Sequence, residues 1–257
     1  MKNILYISLF FSLLFTLGGC QTTAEKKLND NADKRAMLHY QLGLDAIHKG
    51  LISKAFEELY LSDKIRANQP DTLDAIAYAW RLRGDNKKAE SFYKRAIKHN
   101  AGPATYNNYG SLLVETGRYK KALNILNQAL EDPRYRNQAL VFINMGDAYV
   151  GLKDLDNAVR SYRKAGMLSA HKTYTQLKEA AAYKAFNRLN YAQALYETIL
   201  HQEPANQEAL QELIILLKAN GKRQLLRHYI QTFIQKSSNK LQQTWAKDEL
   251  LKLDKGQ

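Results

Sequence analysis

One cysteine stands in the 257 residues, Cys20. It follows the small residues Gly18 and Gly19 and the apolar run 4–17, ILYISLFFSLLFTL. A thiol in this place has three possible uses: a buried or reactive side chain, a residue beside a membrane-spanning helix, or a nucleophile for lipid attachment. The flanks narrow the choice. A spanning helix needs about 20 apolar residues. This run has 14, with the single cation Lys2 ahead of it, which is the form of a signal-peptide h-region. The other chemistry-bearing residues make no set. Histidines 39, 48, 99, 171, 201 and 228 are scattered, and neither HExxH, GxGxxG nor a phosphate-binding loop occurs. His99 and His201 fall near predicted helix C-termini, where a cation suits the dipole. No catalytic residue, metal ligand or cofactor is expected, and the chain reads as a binder rather than an enzyme.

The stretch Leu17-Gly18-Gly19-Cys20 resembles the lipobox of bacterial lipoproteins. That resemblance implies a signal peptide over 1–19, alkylation of Cys20 by diacylglycerol, cleavage just before it, and acylation of the new N-terminus. An ordinary secretory signal with an incidental cysteine is the alternative. Several acyl chains anchor stably where one does not. In enteric lipoproteins an Asp after the cysteine retains the protein at the inner membrane. Gln21 therefore implies the outer membrane, on its periplasmic face. With Cys20 acylated, no disulfide is available and the fold must rest on its core.

Thirty-eight Lys and Arg oppose 25 Asp and Glu, a net charge of +13, and removing Lys2 with the signal leaves +12. In a cytosolic protein this would suggest nucleic acid. In an exported chain that reading does not apply, and no nucleic-acid or small-molecule partner is expected. Anionic lipid, cell wall, an acidic partner and a generally solvated basic surface all remain open. Residues 20–35 are polar after the lipidated Cys20 and read as a tether, with a repeat domain over 36–257.

What must position any binding residue is a repeat. Ala55, Ala89, Ala122, Ala158 and Ala194 recur at spacings of 34, 33, 36 and 36. Tetratricopeptide repeats carry W-x2-L-G-x2-Y and then A-x3-F over 34 residues. Here the first half reads His39-x2-Leu42-Gly43-x2-Ala46, Leu73-x2-Ile76-Ala77-x2-Trp80, Tyr106-x2-Tyr109-Gly110-x2-Leu113 and Phe142-x2-Met145-Gly146-x2-Tyr149. The second reads Ala55-x3-Leu59, Ala89-x3-Tyr93, Ala122-x3-Leu126 and Ala158-x3-Tyr162. Both halves have helical spacing. The four prolines lie near repeat boundaries. Gly50, Gly84, Gly117 and Gly221 lie at the turns inside repeats, where positive φ is useful. The last repeats are degenerate, with Leu226 in an alanine position, as a cap is. Residues 240–254 predict a closing helix with Leu241, Trp245 and Leu250 inward. The fold class is all-α: a right-handed tetratricopeptide-repeat superhelix of about six helix pairs plus a C-terminal capping helix.

A finer resemblance covers residues 105–165. Asn107, Asn108, Tyr109 and Gly110, then Leu112, then Gly117, Arg118 and Tyr119, then Asp132, Pro133, Tyr135 and Ala139, then Asn144 and Gly146 match the pattern of the PilF/PilW family. These are tetratricopeptide lipoproteins of type IV pilus biogenesis. The resemblance implies a pilotin, which helps the outer-membrane secretin reach its membrane and multimerise. The type IV pilus secretin is then the expected partner. Some members carry a cysteine pair, whose positions here are Val114 and Ala148. An adaptor that gathers peptidoglycan hydrolases or synthases suits the charge and the anchor equally well.

The partner site is expected on the first repeat, on a helix over roughly 35–49. Leu38, Leu42, Gly43 and Ala46 form its ordinary core stripe. Met37, Tyr40, Leu44 and Ile47 form a second apolar stripe about 150° away, pointing into the groove. Tyr78 and Arg81 hold equivalent groove positions in the next repeat. In the third repeat Asn107 is expected to face the groove, and Asn108 to hold a hydrogen bond between repeats.

Overall fold

The computed structural model describes residues 23–169 and 172–255. Cys20, the apolar run and the signal-peptide assignment lie outside the described residues. The described residues form thirteen helices. The chain divides into two compact units, with the boundary between Ala101 and Gly102.

The first unit holds α1 (Thr23–His48), α2 (Ile52–Ile65), α3 (Pro70–Leu82) and α4 (Asn86–Lys98). Helices pair in sequence order, α1 with α2 and α3 with α4. The small residues of the repeat explain the pairing. A β-carbon on Gly43 would stand 2.5 Å from Leu59 Cγ. Only a glycine there lets α1 lie against α2, and Ala77 fills the matching place in α3, fully buried. Ala55, Leu59, Ala89 and Tyr93 are fully buried on the second helices.

The α1 boundary differs from the sequence reading. Residues 23–35, expected as a tether, are helical and continue the helix that was predicted to begin near 35. Their composition gives no apolar stripe, so their hold is polar. Arg66 of α2's C-terminal flank pairs with Asp33 and donates to the Asn29 carbonyl at 3.1 Å. Ser62 Oγ donates to the Ala36 carbonyl at 2.8 Å, and Ala36 is buried. A packed helix over 36–48 has already met the nucleation cost, so adding turns before it costs little.

The second unit holds α5 (Pro103–Glu115), α6 (Tyr119–Ala129), α7 (Gln138–Gly151), α8 (Leu155–Leu168), α9 (Lys172–Ala185), α10 (Leu189–Gln202), α11 (Gln207–Ala219), α12 (Arg223–Lys236) and α13 (Lys240–Asp254). Gly110 and Gly146 repeat the close approach, against Leu126 and Tyr162 at 2.4 Å each. In the fifth repeat the buried alanine is Ala192, at 0% exposure, whereas Ala194 is exposed. Aligning on Ala192 sets the spacing at 34 from Ala158 and 34 to Leu226, which is also fully buried. The degenerate repeats therefore keep the period that the Ala194 alignment obscured.

The turns inside repeats agree with the glycine reading and extend it. Gly50, Gly84, Gly117 and Gly221 have φ of +72°, +84°, +73° and +66°. Lys153 and Asn187 adopt the same conformation, at +63° and +56°, in the two repeats that lack the glycine.

The closing helix forms as expected, but with a different inner face. Ala246 and Leu253 are buried, and Trp245 and Leu250 pack on the core of the second unit. Leu241, expected inward, is 83% exposed. The face that packs is 246, 250 and 253, an i, i+4, i+7 set, and Leu241 lies in the first turn, off that stripe.

Candidate functional site

The first helices α1 and α3 of the first unit lie side by side, and the sequence-predicted binding residues sit on them. The structure divides the expected stripe. Met37 is 55% exposed. Tyr40 and Leu44 are half-buried and pack against the core of the unit, and Ile47 is itself a core residue, with Phe56, Leu59 and Ile76 in the same cluster. Ile47 is therefore not a groove contact. The opposite stripe divides as well. Gly43 and Ala46 are buried as expected, but Leu38 and Leu42 are exposed at 53% and 42%. The cause is the crossing of α1 by both α2 and α3. Two neighbours at an angle cover the sector around Ala36, Gly43, Ala46 and Ile47, which falls between the two stripes drawn on a helical wheel.

What remains for a partner is a cleft lined by Asp33, Met37, Tyr40, Arg66, Gln69 and Asp71. Its walls are well tied. Ser62 Oγ and Thr72 Oγ1 stand 3.2 Å apart beneath it. His39 Nδ1 lies 2.7 Å from Glu58, which Lys54 also reaches at 2.8 Å, joining α1 to α2. Hydrogen bonding by Lys54 first and His39 second holds the Glu58 carboxyl below its ordinary range. Burial pushes the Tyr40 hydroxyl up, and the carboxylates of Asp71 and Asp74 push it further the same way. Tyr40 thus stays a neutral donor in a locally negative field.

Tyr78 and Arg81 continue this face along α3. Tyr78 is exposed, and the Arg81 guanidinium stands 5.9 Å from its ring centre. Burial raises the buried Tyr93 hydroxyl far above its ordinary value, with Asp74 adding to the rise and Arg81 opposing it. Arg81 is therefore engaged by the fold as well as displayed. On the other side of the unit, Phe56 and Trp80 lie 4.4 Å apart, and Trp80 Nε1 donates to Tyr60 Oη at 3.0 Å. Lys88 Nζ caps the Trp80 ring at 4.0 Å. This cluster fixes α3 against α2 and α4.

In the second unit Asn107 is turned inward rather than toward the groove. Asn107, expected in the groove, is 6% exposed and accepts a 2.9 Å hydrogen bond from Asn144 Nδ2 on α7. Asn108, for which the sequence predicts a bond between repeats, is half-buried and is itself engaged by the fold. The two residues differ by 100° on α5, and α7 packs on the Asn107 side. Beyond it, Lys178 of α9 pairs with Asp147 of α7 at 3.0 Å, and Tyr162 donates to the same carboxylate at 2.7 Å.

Sequence reasoning missed one exposed pair. Leu140 and Tyr174 stand out from α7 and α9 and line a second cleft with Ile143 and Leu177. Both lie six residues before the small residue of their repeats, as Met37 lies before Gly43 and Asp71 before Ala77. That shared register was the available signal. Among the described residues, no group of three His, Cys, Asp or Glu side chains is arranged to hold a metal. No described helix is long and apolar enough to cross a membrane.

Known proteins place this fold. The tetratricopeptide repeat family matches residues 103–131 and 139–170. The type IV pilus assembly protein PilF of Pseudomonas aeruginosa is 27% identical over 177 residues, covering 67% of this chain and 70% of that protein. The photosystem I assembly protein Ycf3 of Prochlorococcus marinus is 34% identical over 93 residues, 35% of this chain and 54% of that one. Among solved structures, Pseudomonas aeruginosa PilF superimposes with a TM-score of 0.68 at 23% identity, over 85% of this chain and 99% of that one. PilW, described as a widely conserved type IV pilus biogenesis factor, does so with 0.70 at 15% identity, over 81% and 96%. The structural likenesses establish the repeat fold.

Proposed function

We propose that this chain, a PilF/PilW-like tetratricopeptide-repeat protein, is a lipid-anchored binding scaffold of type IV pilus biogenesis. In this reading Cys20 carries the lipid and holds the chain at the periplasmic face of the outer membrane. The α1–α3 cleft of the first unit takes a segment of the pilus secretin and assists its localisation and multimerisation. The observation that carries the site is Met37, a large apolar side chain left exposed beside half-buried Tyr40 at a cleft. Apolar anchors in a pocket dominate such interfaces, at roughly 1.5–3 kcal/mol for each side chain fully buried. Leu44, which packs with Tyr40 on the core of the unit, and exposed Tyr78 extend the face. The tetratricopeptide repeats themselves support a reading of binding.

The test is complementation of a strain lacking the protein. Cys20→Ser is expected to accumulate as a folded protein that takes up no radioactive palmitate and leaves the outer-membrane fraction. Met37→Asp with Tyr40→Ala is expected to stay anchored while secretin multimers fall. Full palmitate labelling of Cys20→Ser would overturn the anchor. Normal secretin multimers in the double variant would overturn the site.

A further inference from the structure

The α1–α3 cleft has a charge that the rest of the chain does not lead one to expect. The sequence carries a net +13, yet the cation lining this cleft, Arg66, is already held by Asp33 and the Asn29 carbonyl. Asp71 is exposed at the same cleft and forms no ion pair among the described residues. It occupies the repeat position filled elsewhere by Met37, Leu140 and Tyr174. One register position thus places a carboxylate next to Met37 and Tyr40.

We propose that this cleft selects a basic segment, in which a Lys or Arg side chain meets Asp71 while an adjacent apolar side chain packs on Met37 and Tyr40. The inference rests on the cleft being the partner site and adds the chemistry of what enters it. Charge complementarity supports it from both sides. The carboxylate attracts a cation locally, and the net positive charge of the chain as a whole disfavours basic segments that do not reach it, which sharpens selection. Burial raises the Tyr40 hydroxyl most, and the same carboxylate adds to the rise. An acid in the first turn of α3 also complements the helix dipole. A stability measurement on the same variants separates that contribution from binding.

The probes are two labelled peptides with serine spacers, one alternating Leu with Lys and the other Leu with Glu. They are titrated against the full chain in nonionic detergent at physiological salt. The Leu/Lys peptide is expected to bind and to lose about tenfold in affinity when Asp71→Lys is introduced. Its affinity also falls as salt rises. Met37→Ala with Tyr40→Ala, which removes the apolar contacts without adding charge, abolishes that binding. Any binding of the Leu/Glu peptide to the basic surface is expected to ignore Met37 and Tyr40. Circular dichroism checks that each variant is folded, and Asp71→Asn serves as the milder variant, with a smaller loss. If the double variant abolishes binding while Asp71→Lys leaves it unchanged, the charge inference falls and the cleft stands. If neither substitution matters, the cleft itself is wrong and this inference falls with it.

Discussion

Single residues in this fold do their work by being small, or by tolerating a backbone that others resist. Gly110 is an example of the first, since any β-carbon there meets Leu126. Lys153 is an example of the second. It holds φ at +63° where four other turns use glycine, and a non-glycine residue in that region is strained by about 1 kcal/mol. Lys153→Gly is therefore expected to raise Tm by roughly 2 °C, read by thermal circular dichroism, and a fall would mean that the turn carries no strain. Asn107 makes a different contribution. Asn107→Ala leaves the Asn144 amide without its partner and is expected to cost about 1 kcal/mol or more. No loss for Asn107→Ala in urea denaturation would contradict that role. The sequence marked the pair but gave no way to tell them apart, because which side of α5 is covered depends on where α7 lands.

Helices were legible wherever the repeat spelled them. The turn glycines, Pro70 and Pro103 at the first positions of α3 and α5, and the buried small residues all stood in the pattern. Three features did not. The first half of α1 has no apolar stripe, so composition read it as a tether, whereas Arg66 and an existing helix hold it. The period of the fifth repeat is hidden because exposed Ala194, two residues from buried Ala192, looks the same in a string. The inner face of α13 was drawn from its largest side chains, and the packing chose Ala246 and Leu253 over Leu241. That choice is measurable. Leu253→Ala is expected to lose roughly 2–5 kcal/mol, and Leu241→Ala close to none, by the same denaturation assay. Equal losses would contradict the face assigned here. The candidate site was legible as a helix carrying two apolar stripes. Which residues stayed open was not, since α2 and α3 together cover a sector that no single-helix projection contains.

At the scale of the whole molecule, the account joins an anchor, a basic repeat scaffold and one apolar cleft with a free carboxylate. The cleft and the scaffold belong to the described structure, and the anchor is inferred from Cys20 and its flanks. The Leu140–Tyr174 cleft of the second unit is the natural competitor for the partner, because it presents equivalent repeat positions with more apolar side chains. The most direct measurement is site-specific photo-crosslinking in cells, with a benzophenone side chain placed at residue 40 and, separately, at residues 140 and 174. The account predicts that position 40 captures the pilus secretin and that Asp71→Lys weakens the capture. Secretin crosslinks from 140 or 174 with none from 40 would contradict it.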